Sequence, residues 1–359
     1  MRKVFRKILL IVNIFFAASL LVSYLAVHIS PEDFILPAFF GLLYPYLLVL
    51  NIVISVIWAV NLKLYALISV VVILIGFNHL GDFVRTSRRQ ADNSAQFTLM
   101  SYNVRLFNHY EGPGSPTTER EITALIKEAK PGILCLQEYF VSGDPENLNS
   151  KIAGAIGSGI DSHIKLTGRG SGRHYGIATF SRFPVINRGE IIHPNSSSLS
   201  IYTDIVVNTD TVRIFNNHLQ SFRLKSRERS FVSELLGRQD QSLTELKNMS
   251  AGLRDGFVRR AMQARVLRAF IESSPYPVIV TGDFNDTPVS YSYRKIRKGL
   301  ADSFVRRGYG AGFTYKGQYP SNRIDYILHD TKFRPVYFNV MKVRYSDHYP
   351  VMAGFNISN

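Results

Sequence analysis

Pro277-Val278-Ile279-Val280-Thr281-Gly282-Asp283-Phe284-Asn285-Asp286 is the stretch that decides the fold. Its first half is uncharged and rich in β-branched residues, and its second half is a cluster of Gly, Asp and Asn. A short apolar run that stops at turn residues reads as a buried strand leading into a loop. The same arrangement recurs along the chain. Ile133-Leu134-Cys135-Leu136 ends in Gln137-Glu138, and Val212-Arg213-Ile214-Phe215 ends in Asn216-Asn217-His218. Ile324-Asp325-Tyr326-Ile327-Leu328 carries an acid inside an apolar strand, and Ser346-Asp347-His348 precedes the run Val351 to Phe355. Rigid sheets aim short polar side chains from strand ends into one cleft, so these clusters are the candidate site.

Further β-like runs are Phe97 to Asn103, Gly176 to Phe180 and Ser200 to Val207. Helical stretches span Thr118 to Ala129 and a long segment ending near Glu272. Many strands mixed with few helices indicate an α/β fold in which two sheets pack face to face with helices outside. No internal repeat or low-complexity tract is visible.

The 359 residues carry 42 Lys+Arg against 27 Asp+Glu, and 46% are apolar. That composition excludes a disordered chain. One cysteine, Cys135, excludes an intrachain disulfide scaffold.

Charge is unevenly spread. Residues 1–80 hold Arg2, Lys3, Arg6, Lys7 and Lys63 with Glu32 and Asp33, which leaves a net of +12 beyond them. Three apolar segments fill that first part: Ile8 to Ile29, Phe34 to Val60 and Leu64 to Leu80. A bilayer-spanning helix needs ~20 apolar residues, so about three transmembrane helices are expected in 1–80. Residues 81–96 read as a linker and 97–359 as the catalytic part. The basic start places the N-terminus in the cytoplasm, Lys63 falls in the next inside loop, and three spans put the rest outside. Arg85, Arg88 and Arg89 count against that side. The expectation is a multi-pass protein of the inner cell membrane with an extracytoplasmic catalytic domain.

Each polar cluster alone has a bland reading as a turn. Asp325 is harder to dismiss, because an unpaired acid in an apolar strand costs roughly 2–7 kcal/mol and calls for a partner such as a histidine or a metal. Together Glu138, Asp283, Asn285, Asp325 and Asp347 form a hard oxygen set beside two imidazoles, His218 and His348. With no cysteine cluster, this set suits Mg²⁺, Mn²⁺ or Ca²⁺ rather than structural zinc. Such an ion with carboxylates and imidazoles fits attack of water on a phosphate ester.

The order of these motifs resembles the endonuclease/exonuclease/phosphatase superfamily, which includes DNase I, abasic-site endonucleases, inositol-polyphosphate 5-phosphatases and neutral sphingomyelinases. The matching pieces are Ser101-Tyr102-Asn103-Val104, Gln137-Glu138, Thr179 to Pro184, Asn217-His218-Leu219-Gln220, Gly282-Asp283-Phe284-Asn285, Arg323-Ile324-Asp325-Tyr326 and Ser346-Asp347-His348. The resemblance implies a four-layer α/β/β/α sandwich and a Mg²⁺-dependent phosphoric ester hydrolase. It implies that Glu138 binds the ion with Asn103 beside it and Asp347 close by. It implies that Asp283 holds or deprotonates the water and Asn285 positions the phosphate. His218 and His348 would stabilise the phosphate's developing charge, with His348 instead the general base in some readings, and Asp325 would orient a histidine.

Arg105 stands where abasic-site endonucleases carry an acid, and His218 where they tend to carry tyrosine. His218-Leu219-Gln220 is closer to the sphingomyelinase side. Between His218 and Asp283, Ser221 to Ser274 is rich in basic residues, with Phe231, Leu235, Leu236, Leu243, Leu246 and Leu253 at roughly helical spacing. Packing against the sandwich is the plainer reading, and a lid or membrane-surface helix the sharper one. Arg169, Arg173 and His174 in a glycine-rich stretch are either phosphate contacts or a turn.

Three functions are therefore set against one another. The first is a membrane-anchored phosphoesterase acting on a lipid or polyprenyl phosphate at the bilayer, which is its expected partner. The second is a tethered nuclease drawn to DNA or RNA by basic charge. The third is a non-enzymatic membrane protein, which the complete set of polar positions disfavours.

Overall fold

The computed structural model describes residues 2–86, 94–111, 115–168, 172–194, 196, 198–222, 243–317 and 322–358. In chain order its strands are β1 (Val84–Arg85), β2 (Phe97–Asn103), β3 (Ile133–Ser142), β4 (Asp161–Thr167), β5 (Arg173–Ser181), β6 (Val185–Ile191) and β7 (Leu199–Val207). They continue with β8 (Asp210–His218), β9 (Val278–Asp283), β10 (Ala301–Asp302), β11 (Gly310–Ala311), β12 (Asp325–His329), β13 (Phe333–Val340) and β14 (Val351–Ile357). Two sheets of six strands form, ordered β13-β14-β2-β3-β5-β4 and β10-β12-β9-β8-β7-β6.

Alternation along the central strands builds the layers. Side chains one residue apart on a strand point to opposite faces. Phe97, Leu99, Ile133 and Cys135 therefore meet Ile205, Val212, Ile214, Ile279 and Ile327 between the sheets. Their neighbours Met100, Tyr102, Leu134 and Leu136 face outward and pack under Ile122, Ile126 and Ile152 of helices Ser115–Ala129 and Pro145–Ile156. On the other side Phe215, Val280 and Tyr326 lie under Ala264, Leu267 and Tyr293. These come from helices Leu243–Glu272 and Tyr291–Arg297. The result is the four-layer α/β/β/α sandwich.

Two pairings are parallel, β2 with β3 and β8 with β9. Parallel neighbours need a long crossover, and helix Ser115–Ala129 and the segment holding Leu243–Glu272 supply the two. Both units thus end their strands at one edge of the sandwich. β12 and β14 run antiparallel to that set, so their starts lie at the same edge, with Asp325 opposite Asp283 and Val351 opposite Ser101.

The strands absent from the sequence reading include β4, β6 and β13, which border the two sheets. An edge strand buries less and tolerates charge and proline, so its apolar signal fades. β6, Val-Ile-Asn-Arg-Gly-Glu-Ile, and Pro335 at the bulge in β13 show both effects.

The apolar N-terminal part differs from the expected three spans. Lys3–Leu25 is long and apolar enough to cross a bilayer. The second segment is two helices, Leu36–Leu42 and Tyr44–Val60, bent by 70°. Pro45 follows the break and pre-sets the first turn of the new helix. The third divides at Gly76 into Ala66–Ile75 and Phe77–Leu80. Ala66–Ile75 rises only ~15 Å, half of a ~30 Å hydrocarbon core. By helix length the count is one span, or two if the bent pair is one. Helices Arg2–Leu25 and Tyr44–Val60 pack antiparallel, Asn51 Nδ2 donating to Phe16 O (3.0 Å), while Ala66–Ile75 runs parallel to the first, Asn13 Nδ2 donating to Tyr65 O (3.0 Å) and Tyr24 O–H to Val72 O (3.0 Å).

The stretch expected as a linker is tied down in its first part. Arg297 donates to the buried Asp82 at 2.7 Å, Phe83 is buried, and β1 pairs with β11. In the basic insertion, Phe257, Ala261, Ala264, Leu267 and Ile271 form the buried stripe. Phe231, Leu235 and Leu236 lie outside the described residues, as does Arg169.

Candidate active site

Asn103, His218 and Asp283 close their strands, Glu138 stands within β3 just past the end of its parallel pairing with β2, and Asp325 and His348 lie at the starts of the antiparallel neighbours. The fold therefore gathers the expected polar residues along one edge. Asn103 Nδ2 donates to Asp283 Oδ2 at 2.9 Å and lies 3.3 Å from Glu138 Oε1. His218 Nε2 is 3.5 Å from Glu138 Oε1 and 3.8 Å from Asp283 Oδ2. His348 Nε2 is 3.7 Å from Asp283 Oδ2 and 4.0 Å from Asp347 Oδ1. Asn285 donates to Asp283 through its backbone N–H (2.8 Å) and its side chain (3.2 Å). All eight expected residues thus form one connected constellation.

Local backbone choices make this possible. Gly282 has φ +124°, and a Cβ there would lie 2.0 Å from Asn217 O. Only glycine lets β9 approach β8 this closely and then turn Asp283 inward. Glu138 sits at φ 51° beside a register shift in β3, and Asn285 at φ 53°. Left-handed non-glycine residues are uncommon and cluster at functional sites. The bulge re-aims Glu138 out of the strand's alternation.

Beneath the polar edge lies a buried amide network. Gln137 Nε2 donates to Asn216 Oδ1 (2.7 Å), and Asn216 Nδ2 to Ala178 O (2.9 Å). It links the two sheets below the site.

Electrostatics separate the roles. Asp283 is 1% exposed. Burial raises its pKa, and the charge of His348 opposes that rise. Burial disfavours charge on His348 as well, but the carboxylates of Asp325 and Asp283 outweigh it and hold the imidazole up at about 10. Its Nδ1–H faces Asp325 at 3.0 and 3.2 Å, so Nε2 is left to face Asp283.

Asp283, Asp325 and His348 are also the tightest metal-competent cluster among the described residues, with candidate ligand atoms within 4.8 Å. Both Asp325 oxygens already bond His348, so this trio reads better as an aspartate–histidine pair facing a second aspartate. Glu138 and Asp347 are the more accessible carboxylates, 29% and 23% exposed. His218 Nε2 is buried without a hydrogen-bond partner. A hard cation on Glu138, Asn103 and Asp347, with an oxygen-bearing substrate at His218, fits that donor set.

Several site residues escaped the sequence reading. Thr314 Oγ1 accepts from the Ile324 and Asp325 N–H groups (both 3.1 Å), and the Tyr315 ring lies edge-on to His348 at 5.1 Å. Nothing in their loop's sequence marks them. Arg260, wholly buried, donates to Asp286 (3.1 Å) and to Gln220 O (2.8 Å), and Gln263 Oε1 accepts from the Gln220 N–H (2.9 Å). Their three-residue spacing on one helix face was a readable signal. Arg105 Nε pairs with Asp347 at 3.4 Å.

Residues 100–348 match the endonuclease/exonuclease/phosphatase family (Exo_endo_phos). The chain belongs to that family. Its members are metal-dependent hydrolases of phosphate esters, and the fold is the DNase I-like sandwich. Residues 6–83 match a separate domain of unknown function, DUF8431. None of the curated proteins matches the chain. Among solved structures, a functionally unknown conserved protein from Enterococcus faecalis V583 superposes with a TM-score of 0.54 at 17% identity, covering 73% of this chain and 100% of that one. An endonuclease/exonuclease/phosphatase from Beutenbergia cavernae DSM 12333 gives 0.53 at 18%, covering 73% and 72%. Humanized D. rerio TDP2 gives 0.52 at 15%, covering 72% and 98%. At these identities the likeness is one of fold.

Proposed function

We propose that this family member is a membrane-tethered, Mg²⁺-dependent phosphoesterase that hydrolyses a lipid or polyprenyl phosphate ester at the bilayer surface. The observation that carries the reading is the contact between the apolar N-terminal helices and two active-site loops. A Cβ on Gly41 would lie 2.4 Å from Val289 O, in the loop that also holds Asp283 and Asn285. Phe313 packs in the same apolar cluster as Tyr24, Tyr44, Phe83 and Val289, and Tyr315 next along touches His348. Phe39 meets Phe257 edge-on at 5.4 Å, and Arg265 forms a two-pronged pair with Glu32. A site whose own loops rest on an apolar anchor has lipid substrates at high local concentration.

In this reading Glu138, Asn103 and Asp347 hold the divalent ion, Mg²⁺ before Mn²⁺ or Ca²⁺. Bound there, it supplies charge neutralisation at the phosphate. Asp283, fixed by Asn103 and Asn285, takes the attacking water's proton. His348, charged and oriented by Asp325, and His218 face the phosphate oxygens and stabilise their growing charge. Successive helices run in opposite directions, and the catalytic sandwich adjoins the Tyr24, Tyr44 and Phe83 end. The turn at Lys63 follows Tyr65's contact with Asn13, nearer the basic N-terminus. This supports a multi-pass inner-membrane topology with the catalytic domain outside the cytoplasm.

The net +12 beyond residue 80 favours a second reading, a tethered nuclease. One experiment separates them. Full-length protein with Mg²⁺ is incubated with plasmid DNA and, in parallel, with headgroup-labelled phospholipids, sphingolipids and polyprenyl phosphate in mixed micelles, with His348→Ala as the blank. Headgroup or phosphate release with intact DNA supports the lipid reading. DNA cleavage with untouched lipid replaces it with the nuclease.

A further inference from the structure

A cationic pocket lies where the N-terminal helices join the sandwich, beside the end of β12. β12 leaves Asp325 at the active site and ends at His329, where β10 pairs with it. The pocket opens beside that end. It is lined by Arg85, Arg297, Gly299, Leu300, Ala301, Val305, Arg306 and Thr331 and encloses about 280 Å³. That is just under the ~300 Å³ at which small-molecule sites begin, a size for a headgroup rather than a whole lipid.

Three arginines from three separate elements, Arg85, Arg297 and Arg306, line it. Arg85 is fixed by β1, whose register sets it opposite Gly310. Arg297 closes helix Tyr291–Arg297. Arg306 lies on helix Ser303–Arg307, whose first turn is capped by Asp302. Arg297 donates to Asp82 (2.7 Å) and to the Tyr293 hydroxyl (2.8 Å), which holds its side chain in place. Among the described residues, neither Arg85 nor Arg306 pairs with a carboxylate. The lining of the pocket therefore carries surplus positive charge. Leu300, Ala301 and Val305 give it an apolar wall, which lowers the dielectric around those charges and strengthens their pull.

We infer that this pocket is a second binding site for a phosphate group, separate from the catalytic one. Guanidinium forks match phosphate oxygens in pairs and hold their charge at all relevant pH values. Asp82 and Arg85 follow at once on the apolar helix Phe77–Leu80. An anionic phospholipid headgroup is therefore the source of phosphate that the position favours, and that part rests on the membrane-tethered reading. The site would hold the sandwich against the bilayer while the catalytic edge works on another lipid. Juxtamembrane cations attract anionic headgroups near the surface.

The test uses the full chain in detergent and calorimetric titration with four probes: dihexanoyl phosphatidic acid, dihexanoyl phosphatidylcholine, glycerol 3-phosphate and inorganic phosphate. Wild type is compared with Arg85→Gln/Arg306→Gln and with Arg85→Lys/Arg306→Lys. The wild type binds phosphatidic acid with one more site per chain than the Gln variant, and at that site at least tenfold more tightly than phosphatidylcholine. The Lys variant keeps the site with weaker affinity, because charge remains and the fork is lost. Glycerol 3-phosphate binding at the same site as tightly as the lipid supports the phosphate site and makes its source soluble. Equal stoichiometry and affinity in wild type and the Gln variant for every phosphate probe would overturn the inference. Hydrolysis of bis(p-nitrophenyl) phosphate by each variant, unchanged from wild type, shows that the fold is intact. A chain without any hydrolysis that still loses one phosphate site on substitution would sink the catalytic reading and leave this one standing.

Discussion

His348 and Asp325 are bound to each other twice, Nδ1 to Oδ2 at 3.0 Å and to Oδ1 at 3.2 Å, in an interior where they are 5% and 2% exposed. The pair fixes which ring nitrogen faces the substrate. Asp325→Asn keeps the shape and removes the charge that holds the imidazolium. We expect kcat toward a soluble diester to fall by ~10²–10⁴ with little change in KM, the span associated with a misplaced acid–base group. Steady-state kinetics check this, with circular dichroism to confirm folding. A fall of less than fivefold would contradict the pairing's role.

Glu138 is the more accessible of the two carboxylates proposed to hold the ion and sits at a left-handed bulge position. Chelation with EDTA should abolish turnover, and Mg²⁺ or Mn²⁺ should restore it. Glu138→Gln should raise the Mg²⁺ needed for half-maximal rate by at least about tenfold, the scale of loss seen when a metal site is disturbed. A titration of rate against free Mg²⁺ reads this directly. An unchanged half-point would move the ion elsewhere in the cleft.

His193 gives the fold an acid limit. It is buried at 5% exposure with Nε2 2.9 Å from Ser200 Oγ, and burial alone pushes its pKa down to about 4. The unfolded chain, with histidine near 6.5, binds the proton first. Stability from this residue is therefore full above pH 6.5 and is lost as pH falls from 6.5 toward 4, by about 3 kcal/mol in all. His163 and His329, also lowered by burial, act with the same sign. His348 has the opposite sign and a different window, since its raised pKa removes stability only as pH climbs from 6.5 toward 10. Urea midpoints at pH 7.5 and 5.0 should differ less in His193→Gln than in wild type.

The seat of the N-terminal helices on the catalytic loops predicts a split phenotype. A Cβ on Gly41 meets Val289 O at 2.4 Å and the Ala26 Cβ at 2.6 Å, so Gly41→Val must push the apolar turn off the loop. If the proposed lipid substrate is the true one, its turnover in micelles should fall at least tenfold, while hydrolysis of a soluble diester stays within about threefold. Equal losses on both substrates would make the contact a folding contact only.

How much of this was readable beforehand follows from burial. β2, β3, β8 and β9 are buried on both faces, and each therefore carries a short apolar stretch that stands out before its polar end. β4 and β6 are edges with one open side, and their mixed composition hid them. The polar site residues were legible because each lies beside the apolar stretch of a central strand. Thr314 and Tyr315 come to His348 through a loop whose path only the folded chain defines. The apolar segments were visible as composition, but their breaks turn on single residues: Pro45 restarting a helix, and Gly76, where the Tyr24 ring occupies the space a Cβ would need.

The pairing of β14 with β2 has a consequence for biosynthesis. Ser346 Oγ donates to Asn103 O across 243 residues of sequence, and His348 reaches the cleft only when β14 closes onto β2. Such distant pairing forms late, since its loop must close first. A growing chain that has already displayed Asn103, Glu138, His218 and Asp283 still lacks its imidazolium and the strand that carries it. The hydrolytic constellation is thus incomplete in the nascent polypeptide until β14 stitches the sandwich shut.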